Sequence, residues 1–453
     1  MSVRLERTAF EASRAAEYFD ARQLSTLTGA PTSEFASVCL KELIENALDA
    51  CETAGVAPEI DVEVQYEQGV IRLTVSDNGT GIPAEVVRKV IDYNVRVSDK
   101  AAYRSPTRGA QGNALKTIIG IPYALGSREP LVLEAQGVSH RIRPWVDPAG
   151  LVHFDYSSAE MLSESTGTTV LLTIPNHADL GEQDFDAHHW ARSFAAFNPH
   201  ATLSYQAKRD DLEEAEIYKS TREKTRKYVP SQPTSPHWYS PRSLKVLVFS
   251  HIAHARKGGR DLPLGEFVRQ FQGLTSTAKA RAVVKQMGEG FTHLSDFEGD
   301  EGKVAELLGA MQAATRAPKA GALGFVGKEH FETFFKSIYD VREYKYMKKE
   351  GTMPSGLPFT FEFALATLDE PGHLYCGINF SPTFGDPLES TTLTGPEFRA
   401  GGIRGFLSAA YALPETETAW YRTPASVAVA AHIVTPAPLF LDRGKTRLDM
   451  EVA

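Results

Sequence analysis

Cysteine is scarce: 453 residues hold three, Cys39, Cys51 and Cys376. An odd number without metal-ligand spacing argues against a disulfide framework and fits a reducing compartment. Long apolar runs are missing as well. No stretch has the length needed to span a bilayer, and the opening residues, MSVRLERTAFEAS, lack the apolar core of a secretory signal. A cytoplasmic chain without membrane contact is expected. Positive charge is not in excess, since 48 Lys and Arg stand against 57 Asp and Glu for a net charge of -9. A globally basic surface is thereby excluded, and any nucleic-acid contact must rest on local patches. Internal repeats and low-complexity tails are absent. What remains is ordinary for a globular protein, at 42% hydrophobic and 23% charged residues. The length suits about two to four domains.

The informative stretch is VCLKELIENALDACETAG, residues 38–55. Leu40, Leu43, Ile44, Ala47 and Leu48 recur at helical spacing and define a buried side. Glu42, Asn46 and Asp49 fall at i, i+4 and i+7 and line a second face. Such a polar stripe on a mostly apolar helix is costly unless it finds partners. A stripe that simply faces water is the ordinary alternative. Ser33 is the expected N-cap.

Residues 9–25 also read as a helix. Residues 59–66 and 70–77 alternate and predict two strands around a turn at Glu67-Gln68-Gly69. The second ends in Asp77-Asn-Gly79-Thr-Gly81: a carboxylate at a strand end, then glycines that let backbone approach a ligand. Alone, it is a common turn sequence. A helix is expected over 84–97. Residues 98–106 are polar and suit a lid. Thr107-Arg-Gly109-Ala-Gln-Gly112-Asn-Ala then runs into another helix, an arrangement whose backbone N–H groups favour an anion. Lys116 reads as a surface residue of that helix's first turn.

Strands are expected at 138–146, 150–158, 167–175 and near 201–206, with a helix over 183–197. That makes a helix layer on a mostly antiparallel sheet. Residues 229–243 carry four prolines and read as a linker or extended surface segment. Short helices follow at 264–273, 275–288 and 303–314. The last part mixes strands (357–368, 373–384, 425–441) with a helix at 398–413.

The ordered set Glu42-x-x-x-Asn46-x-x-Asp49-Ala50, Asp77-x-Gly79-x-Gly81, Gly109-Ala110-Gln111-Gly112 and Gly167-Thr168 resembles the nucleotide pocket of the GHKL ATPases. Within that group the chain is similar, over nearly its whole length, to the B subunits of type IIB topoisomerases (topoisomerase VI). Residues 266–283 and 322–331 resemble their helix-two-turns-helix domain. Residues 378–388 resemble their transducer strand, where the family usually has Asn-Arg-x-Pro. The resemblance implies an α+β fold. It would have a GHKL (Bergerat) α/β sandwich ATPase domain over 1–228, a linker and helix-two-turns-helix-like domain over 229–318, and a transducer-like α/β domain over 319–453.

The resemblance also implies ATP and Mg²⁺ and assigns roles. Glu42 would be the general base; Glu45, beside Asn46, faces about 100° away from it. Asn46 would ligate Mg²⁺. Asp77 would accept a hydrogen bond from the adenine amine, with Asp49 supporting Asp77 or the water around the metal. Gly79 and Gly81 would make room for the base. Arg108, Gly109, Ala110, Gln111, Gly112, Asn113 and Ala114 would wrap the phosphates. Thr168 would touch the adenine side, and Lys445 would reach the γ-phosphate as a switch. Expected partners are a second copy on ATP binding, with Met1–Phe10 as a strap, and a DNA-cleaving partner of the topoisomerase VI A type. Duplex DNA would be held by backbone contacts from basic residues such as the Lys219–Lys227 cluster, Arg256, Lys345 and Lys349.

Two departures stand out. The family's Trp-Lys-x-Tyr motif is only partly matched by Ala419-Trp420-Tyr421-Arg422. The helix that docks on the cleaving partner after the switch lysine is expected to be lacking. An ATP-gated DNA clamp in a recombination or defence complex, without strand passage, is therefore the second reading.

Overall fold

The computed structural model describes residues 14–91, 93, 102–108, 114–162, 166–176, 183–223, 226–229, 231–353, 355–389, 402–411, 421–423, 425–440 and 448. The architecture is α+β. Near the start, a 3₁₀ turn (Arg14–Phe19) leads into α1 (Ala21–Thr28), whose N-cap Asp20 accepts the Gln23 N–H at 2.9 Å. The single helix expected over 9–25 is thus broken by that cap. Helix α2 (Phe35–Ala54) starts three residues earlier than its periodicity suggests. Ser33 does not cap it, because Thr32–Glu34 is itself a 3₁₀ turn. Gly55, at φ +73, closes α2 by donating to the Cys51 and Glu52 carbonyls.

The first sheet has eight strands: β1 (Glu59–Glu67), β2 (Val70–Asp77), β3 (Leu131–Ala135), β4 (Val138–Val146), β5 (Val152–Glu160), β6 (Thr168–Pro175), β7 (Thr202–Arg209) and β8 (Leu212–Tyr218). Their order is β5-β4-β3-β6-β2-β1-β7-β8. Only β1 and β7 pair in parallel; the other neighbours are antiparallel. One face is covered, so β1 and β2 alternate: Ile60, Val62, Val64, Ile71, Leu73 and Val75 are buried between more exposed neighbours. The cover is α1, α2, α4 (Ala114–Ala124) and α5 (Ala187–Phe197), whereas α3 (Ala84–Val90) follows the Asp77 loop. Strands β3 and β8 escape the sequence pattern. β3 is five residues long, and β8 is an edge strand carrying Glu213, Glu214 and Glu216, charges that suit an edge but erase the alternation.

Two short strands, β9 (Arg226–Lys227) and β10 (Gly324–Phe325), pair with each other. They bring together the two ends of a helical segment built from α6 (Pro241–Arg256), α7 (Leu264–Arg269), α8 (Thr277–Met287) and α9 (Lys303–Ala313). The proline-rich stretch leading into it is not an exposed tether. Thr234, Ser235, Trp238 and Tyr239 are all buried, and Ser240 and Ser243 form the capping box that starts α6.

The last sheet runs β11-β12-β15-β13-β14. Its strands are β11 (Glu343–Thr352), β12 (Pro358–Thr367), β13 (Leu374–Ile378), β14 (Ser381–Pro382) and β15 (Val427–Val434). Charged β11 is another edge strand the pattern does not reveal. Every residue of β15 is buried, because both faces are covered. Ala428, Ala430 and Val434 join the core that runs through the first sheet, together with α10 (Lys328–Ile338). Val427, Val429, Ala431 and Ile433 pack instead with Ile403 and Leu407 of α11 (Gly402–Tyr411).

Candidate functional site

Helix α2 crosses the sheet with its apolar side down, which leaves Glu42 half-buried and Asn46 exposed. At the end of β2 the chain turns back onto this helix. Asn78 pins the turn: its Oδ1 accepts the Glu59 N–H at 3.0 Å and the Cys51 thiol at 3.1 Å, and its Nδ2 donates to the Ala57 carbonyl at 3.0 Å. Gly79 then lies so close to α2 that a Cβ there would meet the Ala50 Cβ at 3.1 Å. The glycine is required by that approach.

Asp77 stands at the mouth of this junction. Its Oδ1 accepts the Gly79 N–H at 2.8 Å and the Thr168 N–H at 3.3 Å. Burial pushes its pKa up, and the two N–H bonds only partly offset this. Thr168 opens β6 directly after Gly167, whose φ is +91 and whose Cβ, if present, would lie 1.8 Å from the Asp77 carbonyl. The Thr168 hydroxyl is buried with no hydrogen-bond partner among the described residues. A polar atom left so is normally satisfied by water or a ligand. On the other side, Gln136 at φ +50 tips the β3–β4 turn so that its Nε2 reaches the Thr80 carbonyl at 3.1 Å.

Arg108 makes its described contacts inside the protein. Its guanidinium is turned into the interior and spread over protein acceptors. Nη1 reaches Asp49 at 2.8 Å and Glu52 at 3.1 Å; Nη2 reaches Glu52 at 2.7 Å and Asn198 at 2.5 Å; Nε faces the Phe380 carbonyl at 3.4 Å. Asp49 is accordingly an anchor for Arg108. Glu52 also takes His200 at 2.9 Å and Lys227 at 2.5 Å. Burial would raise the Glu52 pKa, but Arg108 and Lys227 hold it well below the ordinary carboxylate range. Lys227, wholly enclosed and beside Arg108, is pushed down to about 8.

Several expectations change here. Lys227 is not part of an exposed basic cluster; its side chain is 3% exposed. Lys116 is buried rather than at the surface, with its ammonium 5.1 Å from the Tyr93 ring centroid. Tyr421, in the partial Trp-Lys-x-Tyr match, stacks on His189 at 3.9 Å and donates to Asp186 at 3.2 Å, so it belongs to the α5 junction. Glu45 is buried, bonded by Lys41 at 2.6 Å and by the Ser381 hydroxyl. Glu52 had a local signal, since it extends the α2 stripe three residues past Asp49. Lys227, Asn198, His200 and Ser381 had none. Ala114 is the first residue of α4. Gly109, Ala110, Gln111, Gly112, Asn113, Lys445 and Met1–Phe10 lie outside the described residues, as do Ala419 and Trp420. No helix among the described residues is long and apolar enough to cross a membrane.

Residues 33–178 match the profile of the family described as "Histidine kinase-, DNA gyrase B-, and HSP90-like ATPase". The chain is similar to the B subunit of type 2 DNA topoisomerase 6 from Natronomonas pharaonis, 28% identical over 178 residues, which is 38% of this chain and 22% of the relative. The corresponding B subunit from Sulfurisphaera tokodaii is 22% identical over 339 residues, 72% of this chain and 60% of the relative. The chain thus spans less than two thirds of the length of these relatives. Among solved structures, the ATPase region of Saccharomyces cerevisiae topoisomerase II aligns over 92% of this chain and 78% of that one, at 11% identity and a TM-score of 0.39.

Proposed function

We propose that this chain, whose residues 33–178 match the histidine kinase-, DNA gyrase B- and HSP90-like ATPase family, binds and hydrolyses ATP. Its setting would be a type IIB topoisomerase-like complex that dimerises on ATP and gates duplex DNA for a separate cleavage subunit. The observation that carries the nucleotide site is the Asp77–Thr168 pair. A half-buried carboxylate is fixed by two backbone N–H groups beside a buried hydroxyl that lacks a partner among the described residues. That set suits adenine: the carboxylate accepts from the exocyclic amine, and the hydroxyl bonds the ring directly or through water. Guanine, which offers a carbonyl there, would face the carboxylate with no proton to donate.

The α2 stripe supplies the chemistry. Glu42 orients and deprotonates a water for attack on the terminal phosphoryl group. Asn46, exposed one turn further on, offers a hard amide oxygen that suits Mg²⁺. Bound there, Mg²⁺ supplies charge neutralisation on the phosphates. Residues 109–113 would donate backbone N–H groups to those phosphates at the start of α4. Lys445 would contact the γ-phosphate. The division at 228 and 318 into ATPase, helical and transducer-like parts belongs to the same proposal.

Calorimetric titration with ATP and GTP in the presence of Mg²⁺, followed by a phosphate-release assay, tests the first step. Saturable ATP binding with GTP at least about tenfold weaker is expected. Equal affinities would remove Asp77 as the base-reading group. Supercoil relaxation by the chain with its co-purified partner, with and without ATP, tests the second step.

A further inference from the structure

Among the described residues, the α2 helix meets the last sheet at a buried turn. Asn379 and Phe380 both adopt left-handed backbone angles, φ +51 and +65, although neither is glycine. Such conformations persist only where the surroundings over-determine them, and they gather at switches and sites. Here the hold comes from β15 and the residue after it. The Asn379 N–H donates to the Ile433 carbonyl at 2.8 Å, and its Oδ1 accepts the Thr435 N–H at 2.9 Å. The Phe380 N–H donates to His432 Nε2 at 3.0 Å. Because Nε2 accepts, the ring proton sits on Nδ1 and is donated to Glu362, 3.0 Å away and, like His432, wholly buried.

The same backbone twist aims the far side of the turn at α2. The Phe380 carbonyl accepts Asn198 Nδ2 at 3.1 Å and faces Arg108 Nε at 3.4 Å. The Ser381 hydroxyl donates to Glu45 Oε1, the oxygen that also holds Lys41 Nζ. Glu45 is 6% exposed, one residue before Asn46 and one turn after Glu42. Burial disfavours the Lys41 cation, but Glu45 first and Glu42 second keep it charged. Lys41 is therefore a fixed positive charge beside Glu42, and its place is set by Glu45.

We propose that Ser381 is a positioning residue for the hydrolysis described above. From the last sheet it fixes Glu45, and through Glu45 the Lys41 charge, so that the Glu42–Asn46 turn of α2 is held in hydrolytic register. Turnover then depends on where the last sheet sits, with no contact between Ser381 and nucleotide. The inference rests on the reading of α2 as the nucleotide helix.

The test uses the full chain carrying Ser381→Ala or Ser381→Thr. Ser381→Ala is expected to lower kcat about tenfold, the effect of losing one bond to a charged group, while KM and the affinity for a non-hydrolysable ATP analogue stay within about twofold. Ser381→Thr keeps the hydroxyl and is expected to retain at least about half of the wild-type kcat. Amide exchange across residues 41–49 of the Ala variant is expected to quicken by more than the accompanying fall in global stability accounts for. Unchanged kcat and unchanged exchange would overturn the proposal. So would a joint fall of kcat and unfolding midpoint that threonine does not repair, which is the mark of a packing role. Absence of ATP binding by the wild-type chain would instead reject the nucleotide site, and the exchange comparison would still decide whether Ser381 orders α2.

Discussion

The Thr168 backbone N–H donates to the Asp77 carboxylate at 3.3 Å, while the Thr168 hydroxyl beside it is buried without a partner among the described residues. The protein satisfies one half of the pair, and the other offers a hydroxyl that water or a ligand can bond. Asp77→Asn keeps the shape but replaces part of an acceptor with a donor facing the adenine amine. ATP affinity measured by calorimetry is expected to fall at least about 30-fold, the equivalent of about 2 kcal/mol. Unchanged affinity would refute the adenine contact. Because burial raises the Asp77 pKa, protonation on acidification begins above the ordinary aspartate range. ATP binding should weaken from that higher pH downward, and the Asn variant should lose this dependence.

Glu42 has a different task, and its loss should separate from binding. Glu42→Ala is expected to keep ATP affinity within about threefold and to lower turnover by at least about 100-fold. Single-turnover phosphate release checks this. A parallel loss of binding would argue for a structural carboxylate.

Gly167 leaves no room for a side chain. Its φ is +91 and a Cβ would lie 1.8 Å from the Asp77 carbonyl. Gly167→Ala must therefore shift the Asp77 strand end, and it is expected to weaken ATP binding as much as Asp77→Asn does. The unfolding free energy should also drop by about 2 kcal/mol. Wild-type affinity in this variant would show that the loop's position is irrelevant to the nucleotide.

Arg108 neutralises Glu52 and Asp49 in a site its side chain leaves only 1% exposed. Arg108→Met strands these carboxylates beside Lys227 and His200, and a cost of about 3 kcal/mol in urea unfolding is expected. A change below about 0.5 kcal/mol would contradict the burial of the pair.

The same cluster predicts a pH dependence with two signs. The folded-state pKa of Glu52 is depressed, so its contribution is present above the unfolded value of 4.5 and is lost as pH falls through the folded one. Lys227 behaves oppositely to a normal paired lysine. Its folded pKa of about 8 lies below the ordinary value of 10.5, so the unfolded chain binds the extra proton between the two. Stability should rise by about 3 kcal/mol across that window. Lys227→Met should abolish the rise. A wild-type curve that is flat or falling relative to the variant would show that Lys227 keeps its ordinary basicity.

Much of this protein is legible in the chain alone. The period of 3.6 in residues 38–55 and the period of 2 in 59–66 and 70–77 are local properties, and each forces a side to be buried. The polar stripe of α2 and the Asp77 turn follow, as does their proximity once hairpin and helix share one core. What local pattern does not carry is the choice of partner. Edge strands β8 and β11 hide their period behind charges. Arg108 sits in a glycine-rich stretch that suggests an anion, yet it points inward because α2 presents Asp49 and Glu52 there. Ser381 and Glu45 meet across 336 residues. That contact exists because a doubly covered sheet, with its left-handed turn at Asn379 and Phe380, is packed against the back of α2. Periodicity selects which face is buried; only the packing of distant faces decides which charges meet.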